Sequence, residues 1–184
     1  MRFMGPRHRH DPLKNLVGFC VGDVNYAVPI ACVKEVSNPL DVVALPHAPP
    51  GICGVSDYRG HVVPLVDLRL RFNLERQATT RRTKWVILEL EGRLLALIVD
   101  RVSEVFGTGG AEVRPSPFLG GGEDVRGIAG VTSFNGELVF VLDTGKLREL
   151  TDAVALPHAL PHALPHAVPS SGGRGGLVAA KLST

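Results

Sequence analysis

Few side chains in this 184-residue sequence are spaced for chemistry, and the most regular are His158, His162 and His166, one histidine every four residues. On a helix that spacing would line one face, as ligands of Zn²⁺ or Ni²⁺ do. Here Pro157, Pro161 and Pro165 stand before them, removing backbone donors and forcing an extended chain. At about 3.1 Å per residue the imidazoles then stand about 12 Å apart, too far to share an ion. The sequence therefore predicts no dedicated metal site, and His158, His162 and His166 offer weak ligation only. The glycine-rich stretches Gly107-Thr108-Gly109-Gly110 and Gly120-Gly121-Gly122 lack the Lys and Ser/Thr that follow a phosphate loop. No GxSxG, HExxH or GxGxxG occurs, and His61 has no sequence-adjacent Cys or Ser partner. Neither catalysis nor a cofactor is expected.

The remaining candidates suit contact. Arg59 follows Tyr58 at a hairpin tip closed by Gly60, with Asp57 just before, and an Arg beside a Tyr is the composition of interface hot spots. Val33 and Glu35 set an apolar and an acidic residue on a short segment, read as helical or bent, where both share an exposed edge and Val36 turns inward.

The elements that must hold these residues come from a doubled pattern. Residues 51–68 and 127–144 each read as an apolar run, a polar turn closed by Gly, a second apolar run and an Asp stop, which is a β-hairpin. The second copy turns on Asn135-Gly136, a pair suited to positive φ, and the first on Arg59-Gly60. The preceding motifs recur too. Leu16–Val21, Gly22-Asp23 and Asn25–Val28 match Trp85–Leu90, Glu91-Gly92 and Arg93–Val99, and Val33-Lys34-Glu35-Val36 matches Val102-Ser103-Glu104-Val105. Runs this short, broken by Gly, Pro and Asp, predict a mainly β chain of two small barrels with halves at 15–80 and 81–150. Short helices are expected at Ile30 to Val36, Leu68 to Phe72 and Thr144 to Leu150, the last two capped by Asp67 and Asp143.

Composition narrows the class. A net charge of +2, with 20 basic and 18 acidic residues, argues against a nucleic-acid surface, and Arg81-Arg82 with Lys84 reads as a solvated loop. Cys20, Cys32 and Cys53 are odd in number and show no CxxC spacing, which fits a reducing cytoplasm. No stretch approaches the roughly 20 apolar residues of a membrane span. Residues 1–14 read as a flexible basic arm and 151–184 as a Pro/His/Gly-rich tail outside the fold.

The succession of Gly22-Asp23, Val33-Lys34-Glu35-Val36, Leu45-Pro46, Arg59-Gly60, Pro64-Leu65-Val66-Asp67-Leu68-Arg69, Val99-Asp100-Arg101-Val102, Arg114-Pro115 and Gly127-Ile128-Ala129-Gly130 resembles the CheW family of chemotaxis coupling proteins. The resemblance spans residues 15–150 and implies two packed, five-stranded SH3-like barrels. It implies a non-enzymatic adaptor, without cofactor. The adaptor joins the cytoplasmic tip of a methyl-accepting receptor to the regulatory domain of a CheA-type histidine kinase, and it sits in cytoplasmic arrays that reach the membrane only through partners. By position it places Val33, Glu35 and Arg59 on the receptor-facing surface, with Asp57-Tyr58 where the family often has Asn-Leu, and it assigns no kinase-contact residue. The same adaptor chemistry in a motility or developmental pathway, or metal handling by the histidine tail, are the alternatives.

Overall fold

The short apolar runs become strands because each alternates or continues Val, Ile and Leu between turn residues that stop it. The computed structural model describes residues 15–107, 113–115 and 127–154. The opening hairpin is β1 (Asn15–Val21) and β2 (Val24–Pro29). A 3-10 turn at Ile30–Cys32 leads to β3 (Val33–Ser37). The first copy of the repeated hairpin follows as β4 (Ile52–Tyr58) and β5 (His61–Asp67), ending in the one-turn helix α1 (Leu68–Arg71). The second half repeats this plan with β6 (Lys84–Leu90), β7 (Arg93–Val99), β8 (Arg101–Gly107), the two-residue β9 (Arg114–Pro115), β10 (Ile128–Phe134), β11 (Glu137–Leu142) and α2 (Thr144–Asp152). Asp67 and Asp143 cap the two helices as expected: Asp67 Oδ1 accepts from the Arg69 and Leu70 amides and Asp143 Oδ1 from those of Gly145 and Lys146.

Two expectations are corrected. Residues 30–36 are not a helix: only Ile30–Cys32 coil, and Val33–Ser37 pairs antiparallel with β6. The ladder to β6 outweighs the weak helical bias of a four-residue Val-Lys-Glu-Val run. The halves 15–80 and 81–150 also do not each close a sheet. One sheet runs β3-β6-β7-β5-β4 and the other β8-β1-β2-β11-β10-β9, so each half lends its opening hairpin to the other. Residues 33–99 thus form one continuous barrel-like sheet, and the second is assembled from the flanks 15–29 and 101–142. Parallel ladders join the lent hairpins to their hosts, β2 beside β11 and β7 beside β5.

The core follows the same logic. Tyr58, Val63, Leu65, Trp85, Ile87 and Ala96 fill the 33–99 barrel, and Leu16, Ala27, Phe106, Val139 and Val141 fill the flanking one. The largest cluster, with Phe19, Tyr26, Val66, Leu68, Leu88, Leu95 and Leu147, draws on both sheets and welds them together. Equivalent positions exchange bulk: Trp85 stands opposite Ser37, and Leu16 opposite Phe106.

A close backbone approach recurs in both barrels. A Cβ on Gly54 would fall 2.6 Å from the Val43 carbonyl oxygen, and one on Gly130 would run into that of Arg114. Only glycine lets the crossing chain lie against β4 and β10 here.

Candidate functional site

Glu35 on β3 and Tyr58 on β4 lie on strands at opposite ends of their sheet order, yet the Tyr58 hydroxyl donates to Glu35 Oε2 at 2.6 Å. The sheet therefore curls until its edges meet, and these side chains close the seam. Arg59 Nη2 donates to the same carboxylate oxygen at 2.5 Å, and its Cζ lies 5.2 Å from the centroid of the Tyr58 ring. Tyr58 is 4% exposed while the Arg59 side chain is 70% exposed. Three roles follow. The ring anchors in the barrel, the carboxylate is the hinge, and the guanidinium is held outward, pre-oriented on one arm with the rest of its fork facing solvent.

The carboxylate acting on the hydroxyl raises the Tyr58 pKa, burial adds to this, and the Arg59 charge opposes it. The phenol is thus held as a hydrogen-bond donor. The turn itself is tight: Arg59 has φ 53 and Gly60 φ 81, close to Asn135 and Gly136 at 51 and 81. The two copies of the hairpin share a geometry although only one carries Asn. Asp57 Oδ1 accepts the Gly60 amide at 2.7 Å, so one of its oxygens is given to the turn.

Of the expected residues, Glu35, Asp57, Tyr58 and Arg59 come together, and Val33 does not share their exposed edge. A bulge between Val33 and Glu35 resets the alternation of β3, so Val33 packs on the joint core and Val36 turns outward instead of inward. Val36 starts a row that the sequence reading missed: Val36, Leu40, Val42 and Val43 are 40–51% exposed. The row is pinned to β4 by paired backbone bonds between Val43 and Val55, and by Ser56 Oγ donating to the Asp41 carbonyl at 2.7 Å. The signal available in sequence was the apolar Leu40, Val42 and Val43 around a lone Asp41.

A second polar cluster ties the sheets together. Asp100, the residue between β7 and β8, receives Arg69 Nε at 2.7 Å and Nη2 at 2.8 Å, and the Gly22 amide at 2.7 Å. Burial works to raise the Asp100 carboxyl, but Arg69 and the Gly22 amide outweigh it and hold the pKa below the usual carboxylate value. Among the described residues no group of His, Cys, Asp and Glu is placed to hold a metal. His158, His162, His166 and the glycine stretches after Gly107 and around Gly121 lie outside them. No helix of the described residues is long and apolar enough to cross a membrane.

Comparison with known proteins gives the arrangement its context. The family model for the CheW-like domain matches residues 15–151. The chemotaxis protein CheW of Treponema pallidum is 31% identical over 158 residues, covering 79% of this chain and 92% of that protein. That of Rhizobium meliloti is 26% identical over 137 residues, covering 74% and 88%. The crystal structure of the scaffolding protein TtCheW from Thermoanaerobacter tengcongensis superposes with a TM-score of 0.65 at 25% identity, over 76% of this chain and 90% of that one.

Proposed function

This chain belongs to the CheW family, and from that premise we propose that it is a chemotaxis adaptor that couples a methyl-accepting receptor to a CheA-type histidine kinase. The observation that carries the reading is the seam of the 33–99 barrel: a guanidinium held outward over a buried ring, beside an exposed apolar row. An aromatic anchor, an Arg and flanking apolar contacts are what a protein-binding hot spot requires. The cytoplasmic tip of a receptor is the partner proposed for this face, with Glu35, Tyr58 and Arg59 at its centre, Asp57 fixing the turn and Val36, Leu40, Val42 and Val43 alongside. Val33 supports the face from within. Kinase control requires no catalytic group here. It requires that the adaptor bind one kinase state more tightly than the other, since equal affinity shifts nothing.

Reconstitution of kinase autophosphorylation with receptor, with and without this protein, tests the reading. The protein is expected to change the phosphorylation rate only when receptor is present. An unchanged rate with cognate receptor and kinase would sink the coupling role. Arg59→Glu sets a second acid beside Glu35 and is expected to weaken receptor binding by about 2 kcal/mol or more. Normal binding by that variant would remove the receptor from this face.

A further inference from the structure

The flanking barrel carries a seam equivalent to the one just described, with its cation missing. Glu104 stands in Val-Ser-Glu-Val as Glu35 stands in Val-Lys-Glu-Val, Phe134 occupies the place of Tyr58, and Asn135 that of Arg59. Here a cleft of 270 Å³ opens, lined by Asn25, Glu104, Phe106, Phe134 and Glu137 among others. Two substitutions between the repeats account for it. Gly18 lies where the other barrel buries Ile87, and a Cβ on it would meet the Phe106 ring at 3.0 Å. Asn25 takes the place of Leu94.

The chemistry of the cleft is that of a cation site. Phe106 and Phe134 stack with centroids 4.2 Å apart, giving an aromatic wall where the other barrel offers Arg59 the single ring of Tyr58. Glu137 accepts from Asn25 Nδ2 at 2.7 Å, which fixes that carboxylate. Glu104 has no hydrogen-bond or ion-pair partner among the described residues. Arg101 also lines the cleft but makes no ion pair there among the described residues, so two carboxylates face one guanidinium and the balance is acidic.

We propose that this cleft receives a guanidinium supplied from outside: an arginine side chain of a protein partner, seated between the Glu104 carboxylate and the Phe106–Phe134 wall as Arg59 is seated between Glu35 and Tyr58. The volume is below the usual range for small-molecule sites, about 300–1,000 Å³, and suits one side chain better than a metabolite. The inference does not rest on the receptor reading, because a different barrel and different residues carry it.

NMR titration of the full chain with N-acetyl-arginine methylamide tests it. Saturable shifts are expected at Gly18, Phe106, Asn135 and Glu137, with the uncharged citrulline analogue at least about tenfold weaker, as loss of a charge-assisted hydrogen bond implies. Glu104→Gln, at an exposed carboxylate, is expected to weaken binding by a similar factor. Asn135→Arg places a guanidinium in cis, as at Arg59, and is expected to block the probe. Free arginine, whose own carboxylate faces two acids, should bind less well than the capped residue. Equal binding of citrulline, no effect of Glu104→Gln, or undiminished binding to Asn135→Arg would each overturn the site. A preference for free arginine would overturn its assignment to a partner side chain. The dispersion of the same spectra reports whether each variant is folded.

Discussion

At the scale of the residue, Arg59 pairs an unfavourable backbone with an outward charge. A non-glycine L-residue at φ 53 costs about 1–2 kcal/mol, and Asn tolerates that region better. Against this the exposed ion pair to Glu35 contributes about 0–1 kcal/mol and the cation–π contact about 0.5–1 kcal/mol. The terms nearly cancel, so the fold has no need of arginine here. Arg59→Asn, which copies the tip of the other hairpin, is expected to leave the melting temperature within a few degrees while receptor binding falls about thirtyfold. Loss of stability by several kcal/mol with binding intact would make Arg59 a structural residue. Tyr58→Phe separates the anchor from the charge. It removes the bond to Glu35 and is expected to cost about 1–2 kcal/mol in denaturant unfolding, with a smaller effect on binding than Arg59→Asn.

At the scale of the element, the joint between the barrels is a titratable lock. Arg69 on α1 and the Gly22 amide in the β1–β2 turn both close on the carboxylate of Asp100, between β7 and β8. The folded pKa of Asp100 is depressed below its unfolded value near 3.9. Its contribution is therefore complete above about pH 5 and lost as pH falls through the folded pKa. Asp100→Asn is expected to cost about 2 kcal/mol near pH 7, since it leaves Arg69 partly buried without its counter-charge. The variant should also lose part of the acid limb of the stability profile, read by urea unfolding between pH 3 and 7. A wild-type acid limb in Asp100→Asn would assign the effect to other carboxylates.

Gly54 is the other element-scale test, because Gly54→Ala drives a methyl into the Val43 carbonyl. It should cost about 1–3 kcal/mol and free the 40–43 row to proteolysis. An unaltered melt would mean that the crossing chain yields without cost.

Much at this scale was legible in sequence, because hairpins and caps are local. Gly-containing two-residue turns between apolar runs and Asp at a strand-to-helix junction announce themselves within a few positions. The failures share one cause, dependence on distant partners. Val33–Ser37 is a strand only because β6, some fifty residues on, offers it a ladder, and its bulge at Lys34 reversed the inward and outward assignment of Val33 and Val36. Glu35 and Tyr58 meet only when the barrel closes. The match of Leu16–Val21 to Trp85–Leu90 already sets Gly18 against Ile87, but only the closed barrel shows that the missing side chain leaves a cleft.

At the scale of the whole molecule, the exchange of hairpins could not be read from the repeat. Both opening hairpins carry the same pattern of strand, turn and strand, and the match of bulk that sets Trp85 opposite Ser37 and Leu16 opposite Phe106 shows only once the strands are paired. The exchange makes the barrels unequal in dependence. Residues 33–99 hold every strand of one sheet in a continuous stretch, while the other has β1 and β2 in its interior, delivered from the far end of the chain. Removing residues 1–32 would leave β8 with no ladder partner and β11 with β10 alone among the described residues. It would also take Val17, Phe19, Val21, Tyr26 and Val28 out of the joint core. At about 1.5–3 kcal/mol for each buried side chain, that loss is about 8–15 kcal/mol, as large as the whole stability of a typical domain. The truncated chain is therefore expected to lose hydrogen-exchange protection throughout β8, β10 and β11. Protection in β5, β6 and β7, whose ladders are intact, should fall less. Equal protection of β10 and β11 in the full and shortened chains would show that the lent hairpin does not hold the flanking barrel together.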